Sequence, residues 1–161
     1  DKVREAVFSS LGGMFDGGTV LDLYAGSGAN GLEALSRGYD YAVFADISKD
    51  AIQVIRKNIE SLRCKEKTKV LHMPDKKALS LLKAEGLRFD LVYLDPPYAG
   101  QRNNEILEYL QENNMITDCG VVVIESAKED EFKKEFGSLK PYKEATYGIT
   151  RITYYRNEVE G

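Results

Sequence analysis

A chain of 161 residues with 43% hydrophobic and 30% charged side chains has the size of one ordinary domain and is too apolar to be disordered. Its 22 basic and 26 acidic residues leave a net charge of −4, which excludes nucleic-acid binding through a bulk positive field but allows a local basic rim. No apolar run approaches a membrane span, the opening Asp1-Lys2-Val3-Arg4-Glu5 is not a secretory signal, and two cysteines with one histidine give no zinc spacing, so a reduced, cytoplasmic, metal-free chain is expected.

The first element is a helix carrying Val3, Ala6, Val7 and Leu11 on one face and ended by Gly12-Gly13. Asp1 stands almost inside this helix with no initiator methionine, as in a chain cut from something longer. Thr19–Tyr24 is a short β-rich run that ends in glycines. Gly28–Arg37 reads as a helix closed by Gly38, and Tyr41–Ala45 as the next strand. Asp50–Leu62 follows as a helix with Ala51, Ile52, Ile55, Ile59 and Leu62 on one face and Ser48 as its N-cap. Lys69–His72 is strand, Lys76–Ala84 helix, Phe89–Leu94 strand and Asn103–Asn113 helix. Val121–Glu125 is strand and Glu129–Phe136 helix, and the Thr/Tyr-rich runs around Glu144–Tyr147 and Ile149–Tyr155 form a hairpin about Gly148.

Strands alternating with helices predict a single α/β domain: a doubly wound, Rossmann-like, mostly parallel sheet with an antiparallel C-terminal strand. Ligands bind such sheets beyond the carboxyl ends of the strands. The residues that fall there are Asp22–Gly28, Asp46, Asp75, Asp95–Tyr98 and Glu125. Four aspartates at four successive strand ends form a pattern.

Gly26-Ser27-Gly28-Ala29-Asn30-Gly31 spells G-x-G-x-x-G between a strand and a helix, and Asp46 follows about 20 residues on, at the next strand end. A tight turn beside a surface aspartate would look the same taken piece by piece; the coincidence of loop, context and acid favours a nucleotide-type ligand. Both a dinucleotide and S-adenosylmethionine fit this unit. Asp22 separates them, because a carboxylate repels a pyrophosphate and attracts an ammonium or a sulfonium. At ~4 Å and an effective dielectric near 20, such a pairing is on the order of 4 kcal/mol before desolvation. Charge therefore favours the methyl donor, and Asp75 and the Lys76 backbone N–H are placed to meet its adenine.

Asp95-Pro96-Pro97-Tyr98 leaves an apolar strand directly. Two prolines fix two φ angles and remove two donors, so acceptors remain: the Asp95 carboxylate and the Pro96 carbonyl. Two acceptors suit the two hydrogens of an exocyclic amino group and localise its lone pair toward a methyl donor, while Tyr98 can stack on the base. Taken alone the segment is equally a proline-stiffened loop; its place after the fourth strand of this fold makes it catalytic.

Asp22-Leu23-Tyr24-Ala25-Gly26-Ser27-Gly28, Gly31-Leu32-Glu33-Ala34 and Asp95-Pro96-Pro97-Tyr98 together resemble the class I amino-methyltransferases. Within them, Asp1–Phe8 and Gly31–Gly38 are similar to the bacterial small-subunit (16S) ribosomal RNA guanine-N2 methyltransferase family, over nearly the whole chain. The resemblance implies S-adenosylmethionine as methyl donor, S-adenosylhomocysteine as product, and 16S rRNA or the small ribosomal subunit as partner of a monomeric enzyme. It implies that Asp22 and the backbone of Ala25, Gly26, Ser27 and Gly28 hold the methionine moiety, Asp46 the ribose and Asp75 the adenine, with Tyr24, Ile47 and Lys76 also expected in the cofactor site. Asp95, Pro96, Pro97 and Tyr98 are implied as catalytic. The strand-end motifs are shared with DNA adenine methylases, so an N6-adenine methyltransferase acting on DNA or RNA is the alternative. The family's basic β-rich opening and Pro-Thr-Thr segment are not in this chain, and no alanine follows Asp75.

A nicotinamide oxidoreductase is disfavoured by Asp22 and by the want of a hydride-transfer acid; a binding module keeping the fold without turnover is the non-enzymatic rival. His72 reads as a strand residue and Cys64 and Cys119 as ordinary thiols. Lys65, Lys67 and Lys69 solvate a loop. Arg4, Lys76, Lys77, Arg102 and Arg151 are candidates for a basic rim, each individually readable as a solvated charge.

Overall fold

The alternation read from the sequence resolves into one layered sheet in the computed structural model, which describes residues 1–97, 102–131 and 135–159. The helices are α1 (Lys2–Ser10), α2 (Ala29–Ser36), α3 (Lys49–Ser61), α4 (Asp75–Ala84) and α5 (Asn103–Glu112). The strands are β1 (Thr19–Leu23), β2 (Tyr41–Asp46), β3 (Thr68–His72), β4 (Phe89–Leu94), β5 (Ile116–Ala127), β6 (Leu139–Tyr147) and β7 (Thr150–Asn157). Among the described residues the sheet order is β3-β2-β1-β4-β5-β7-β6. The first five of these strands run parallel, and β7 enters antiparallel between β5 and β6. The chain direction of winding therefore reverses between β1 and β4, which opens a crevice at their carboxyl ends.

Period-2 alternation divides the strand side chains between two cores. Phe44, Tyr93, Val123 and Tyr154 face α1, α2 and α3, where Val7, Phe8, Ala34, Ile52, Ile55 and Ile59 cover them. Leu21, Leu23, Val43, Val92, Leu94 and Val122 face α4 and α5, beneath Ala78, Leu79, Leu82, Ile106, Leu107 and Leu110. Strands buried on both faces are why β1, β2 and β4 read as continuous apolar runs rather than as alternating ones. The same alternation carries Asp22, Asp46, Asp95 and Glu125 to one face, the side of α1 to α3, because each lies an even number of residues from a side chain packed there.

Two expectations need correction. β5 begins at Ile116 rather than Val121, because a register shift against β4 and a left-handed Cys119 (φ 65°) let the strand continue through Thr117-Asp118-Cys119-Gly120. The helix expected over Glu129–Phe136 is absent at its described ends, residues 132–134 lying outside the described set. Phe136 is instead bridged to Leu139 by paired backbone bonds of 3.0 Å and packs its ring 6.0 Å from that of Tyr155. Tertiary packing of one aromatic outweighs helical propensity there. Ser48 caps α3 as expected, accepting from the Ala51 N–H at 3.2 Å, and the closing hairpin forms about Gly148.

Candidate active site

The glycine loop is shaped from below. Gly28, the N-cap of α2, has φ 81°, a left-handed backbone that a side chain rarely adopts, and a Cβ there would also sit 3.3 Å from Phe44 and Ile55. Gly31 is needed for proximity: a Cβ on it would lie 2.4 Å from the Phe44 ring, so its absence lets α2 settle onto β2. That descent brings the Gly31 N–H to Asp22, whose Oδ2 accepts it at 2.9 Å. On the second strand end, Asp46 accepts from the Gly26 N–H at 2.9 Å through Oδ2 and from the Ser48 N–H at 2.8 Å through Oδ1. The two acids predicted to hold the cofactor thus also hold the glycine loop and its helix in place.

Asp22 is 1% exposed, and its second oxygen, Oδ1, is buried with no hydrogen-bond partner. Burial pushes its carboxyl up to about 8, opposed by the Gly31 N–H and reinforced by the charges of Asp95, Asp46 and Glu125. An unpartnered buried acceptor in an acidic setting fits a cation that donates hydrogen bonds, which is the chemistry of the amino-acid ammonium of S-adenosylmethionine, and is wrong for a pyrophosphate. Each Asp46 oxygen accepts one N–H and keeps a second lone pair for a ribose hydroxyl. Ile47 is 69% exposed, and a large aliphatic side chain left in solvent beside Asp46 offers a flat apolar surface for a base.

Beyond β3 the arrangement is more closed than expected. Tyr24, at φ 64°, turns its hydroxyl to Asp75 and donates to Oδ2 at 2.6 Å. Arg102 reaches the same oxygen at 3.4 Å, and the Lys76 N–H donates to Oδ1 at 2.7 Å. The side chain of Asp75 is only 7% exposed, so the two groups expected at the adenine bind each other first. Desolvation and the Asp75 carboxylate together push the Tyr24 hydroxyl far above its ordinary range, so it stays a donor. Ala25 is buried, and its N–H is donated to the Ala45 carbonyl at 2.9 Å, while Gly26 and Ser27 are exposed on the loop's outer side.

Across the crevice, Asp95 follows β4 directly and is solvent-reachable, with Pro96 buried and Pro97 exposed. Tyr98 lies outside the described residues. The β4–β5 register pairs Leu94 with Ile124, which sets Asp95 beside Glu125. The two carboxyls share a hydrogen bond, and the Asp95 carboxyl is raised to about 7, first by desolvation at the base of the crevice and then by the Glu125 charge. Tyr93, fully buried, donates its hydroxyl to Glu125 Oε1 at 2.5 Å. In spatial order, the carboxyl edge of the sheet therefore presents Asp75 just after β3, Asp46 on β2, Asp22 on β1, Asp95 just after β4 and Glu125 on β5.

Glu125 was visible in the sequence as a strand-end acid, but its contact with Asp95 was not. Tyr93 was hidden inside the strand FDLVYL. The signal for it was a hydroxyl near the carboxyl end of a central, mostly apolar strand, facing the same side as both acids. Of the rim candidates, Arg4 pairs with Glu33 at 3.4 Å, Lys76 with Glu105 at 3.2 Å and Arg102 with Asp75. Arg151 donates to the carbonyls of Lys128 and Asp130, and Lys77 is exposed. His72 is an exposed strand residue 3.1 Å from the Ile47 carbonyl. No cluster of potential metal ligands occurs among the described residues, and no helix described is long and apolar enough to cross a membrane.

Comparison with known proteins shows the family. The chain is 36% identical over 156 residues to YlbH of Bacillus subtilis (strain 168), provisionally named an rRNA methyltransferase, covering 97% of this chain and 85% of that one. It is 31% identical over 161 residues to the ribosomal RNA small subunit methyltransferase D of Haemophilus influenzae, covering 98% of this chain and 81% of the relative. A conserved hypothetical protein of Streptococcus pyogenes superposes with a TM-score of 0.90 at 39% identity, over 96% of this chain and 95% of that one. The model of the family described as conserved hypothetical protein 95 matches residues 1–156, and the chain belongs to this family, whose relatives named above carry rRNA methyltransferase names.

Proposed function

We propose that this protein methylates the exocyclic N2 of a guanine in small-subunit (16S) ribosomal RNA. The observation that carries the chemistry is the pair of acids flanking the crevice: Asp22 with a buried, unpartnered oxygen, and Asp95 with a reachable one. The choice of RNA rests on the names carried by the relatives of the family.

When bound, S-adenosylmethionine supplies an electrophilic methyl group and keeps both electrons of the broken carbon–sulfur bond. The residues of this chain do the rest. Asp22 Oδ1 receives the ammonium, Gly26–Gly28 bring backbone close to the methionine part, and Asp46 receives the ribose. Asp95 and the Pro96 carbonyl accept the two hydrogens of the target amino group, which turns its lone pair from the ring toward the methyl. Positioning and charge, rather than a strong base, lower the barrier. Pro96 and Pro97 hold those acceptors without offering N–H groups that would compete for them.

The test is mass-spectrometric mapping of methylated nucleosides in 16S rRNA from cells with and without the protein, together with transfer to unmodified 30S particles in vitro. N2-methylguanosine at one site, lost with the gene, is expected. N6-methyladenosine in its place would give the alternative, and no change in either would overturn the reading.

A further inference from the structure

We propose that Glu125 is the positioning residue of the catalytic carboxyl: it shares a single proton with Asp95, and that pair, steadied by Tyr93, empties before methyl transfer and receives the proton that the methylated nitrogen must lose. The proposal rests on the methyltransferase reading above.

Three placements carry it. The β4–β5 register pairs Leu94 with Ile124 and so puts Asp95 next to Glu125, and two carboxyls side by side resist a second negative charge and favour a proton held between them. Tyr93 donates to Glu125 at 2.5 Å from a fully buried position, and its ring is stacked 6.2 Å from Phe8 of α1, so the donor is fixed. Tyr93 is fully buried, and a phenol that donates to a glutamate from below is placed to stabilise charge on it.

The acidic neighbours resist two negative charges here. Asp22 on β1 and Asp95 just after β4 both act on Tyr93, and Asp22 in turn feels Asp95, Asp46 and Glu125. From β7, Ile152 lies opposite Glu125, and the neighbouring Arg151 guanidinium faces the carbonyls of Lys128 and Asp130. The Tyr93 hydroxyl, itself held far above its ordinary range by burial, is therefore the donor the pair relies on.

The proton count follows. With the pair empty, Asp95 is a full carboxylate and the best acceptor for the target N–H. The nitrogen that has gained a methyl group carries one proton too many. That proton passes to an Asp95 oxygen, the N–H bonding electrons return to nitrogen, and the proton is held between Asp95 and Glu125 until it leaves to solvent. Transfer should thus rise with pH as the shared proton is lost, with a midpoint belonging to the pair rather than to either residue.

The test uses the whole chain labelled with 13C at aspartate carboxyls, plus single-turnover methylation of 30S particles from pH 5.5 to 9. In the wild type one aspartate carboxyl, absent in D95A, should titrate near neutrality together with the acidic limb of the rate. Glu125→Gln removes the shared proton and the like charge, so both midpoints should fall by about one pH unit or more. Tyr93→Phe withdraws the donor from Glu125, so both should rise. A Glu125 that merely packs would lower rates without moving either midpoint, and unmoved midpoints in folded E125Q or Y93F overturn the proposal. If the wild type methylates nothing, the substrate reading fails, while the carboxyl titration still decides whether the proton is shared.

Discussion

The two ends of the same strands treat the same residue type in opposite ways. At the amino end, Asp90 on β4 accepts from the Thr19 N–H at 2.8 Å through Oδ2 and from the Thr117 hydroxyl at 2.8 Å through Oδ1, lacing β1, β4 and β5 together. Asp40 likewise accepts from the Gly18 N–H at 3.0 Å. Arg88 closes the same end with donations to the Asn114 and Ile116 carbonyls at 3.0 Å. At the carboxyl end, Asp22 keeps one oxygen without a partner and Asp95 faces another carboxylate. Asp90 and Asp40 spend their hydrogen bonds on the fold, whereas Asp22 keeps a buried oxygen without a partner, a cost the fold carries.

The largest effect should come from removing the reachable acid. Asp95→Ala should slow methyl transfer by about a hundred- to a thousandfold, roughly 2.7–4 kcal/mol, in single-turnover assays. Affinity for S-adenosylhomocysteine should stay within a few-fold. Equal loss of both would mean that Asp95 serves the cofactor and that the division of labour across the crevice is wrong.

Next is the pH dependence of stability. Asp22, raised by burial to about 8, and Asp95, raised to about 7, hold protons in the folded state that the unfolded chain has released, so stability is greatest in mild acid. It should fall as pH rises through these values. From Asp22 alone the loss between pH 6 and 8.5 is on the order of 2–3 kcal/mol, or about 5–10 °C in melting temperature. Asp22→Asn, which still accepts from Gly31, should flatten this slope and raise Tm at pH 8.5. A slope of opposite sign would break the comparison.

Smaller effects sharpen it. Gly31→Ala drives a methyl into the Phe44 ring and should cost about 1–3 kcal/mol by thermal denaturation, with the Asp22 contact disturbed as α2 is lifted. Asp90→Ala leaves the Thr19 N–H without its acceptor and should cost about 1–2 kcal/mol while cofactor affinity is unchanged.

Much of this was legible in the amino-acid order because it is local. β4 is Phe89–Leu94 as read, since a run that is apolar but for Asp90 and is bounded by a loop and Asp-Pro-Pro reads as a buried strand, and Ser48 sits where an N-cap must. The glycine loop and its acids are set by chain neighbours a strand and a helix apart, so spacing suffices to find them. What stayed hidden depends on register between distant strands. Nothing near Glu125 in sequence announces Tyr93, and nothing near Asp75 announces that Tyr24 and Arg102 will occupy it. Phe136 was misread for the same reason, its partners Leu139 and Tyr155 deciding its backbone.

Calorimetric titration of S-adenosylhomocysteine into the wild type, Asp22→Asn and Asp90→Asn tests most directly whether the unpartnered oxygen exists for a cation. A charge-assisted hydrogen bond of about 1.5–3 kcal/mol predicts that Asp22→Asn weakens binding by roughly ten- to a hundredfold or more while Asp90→Asn leaves it unchanged. Equal affinities for all three proteins would contradict the account.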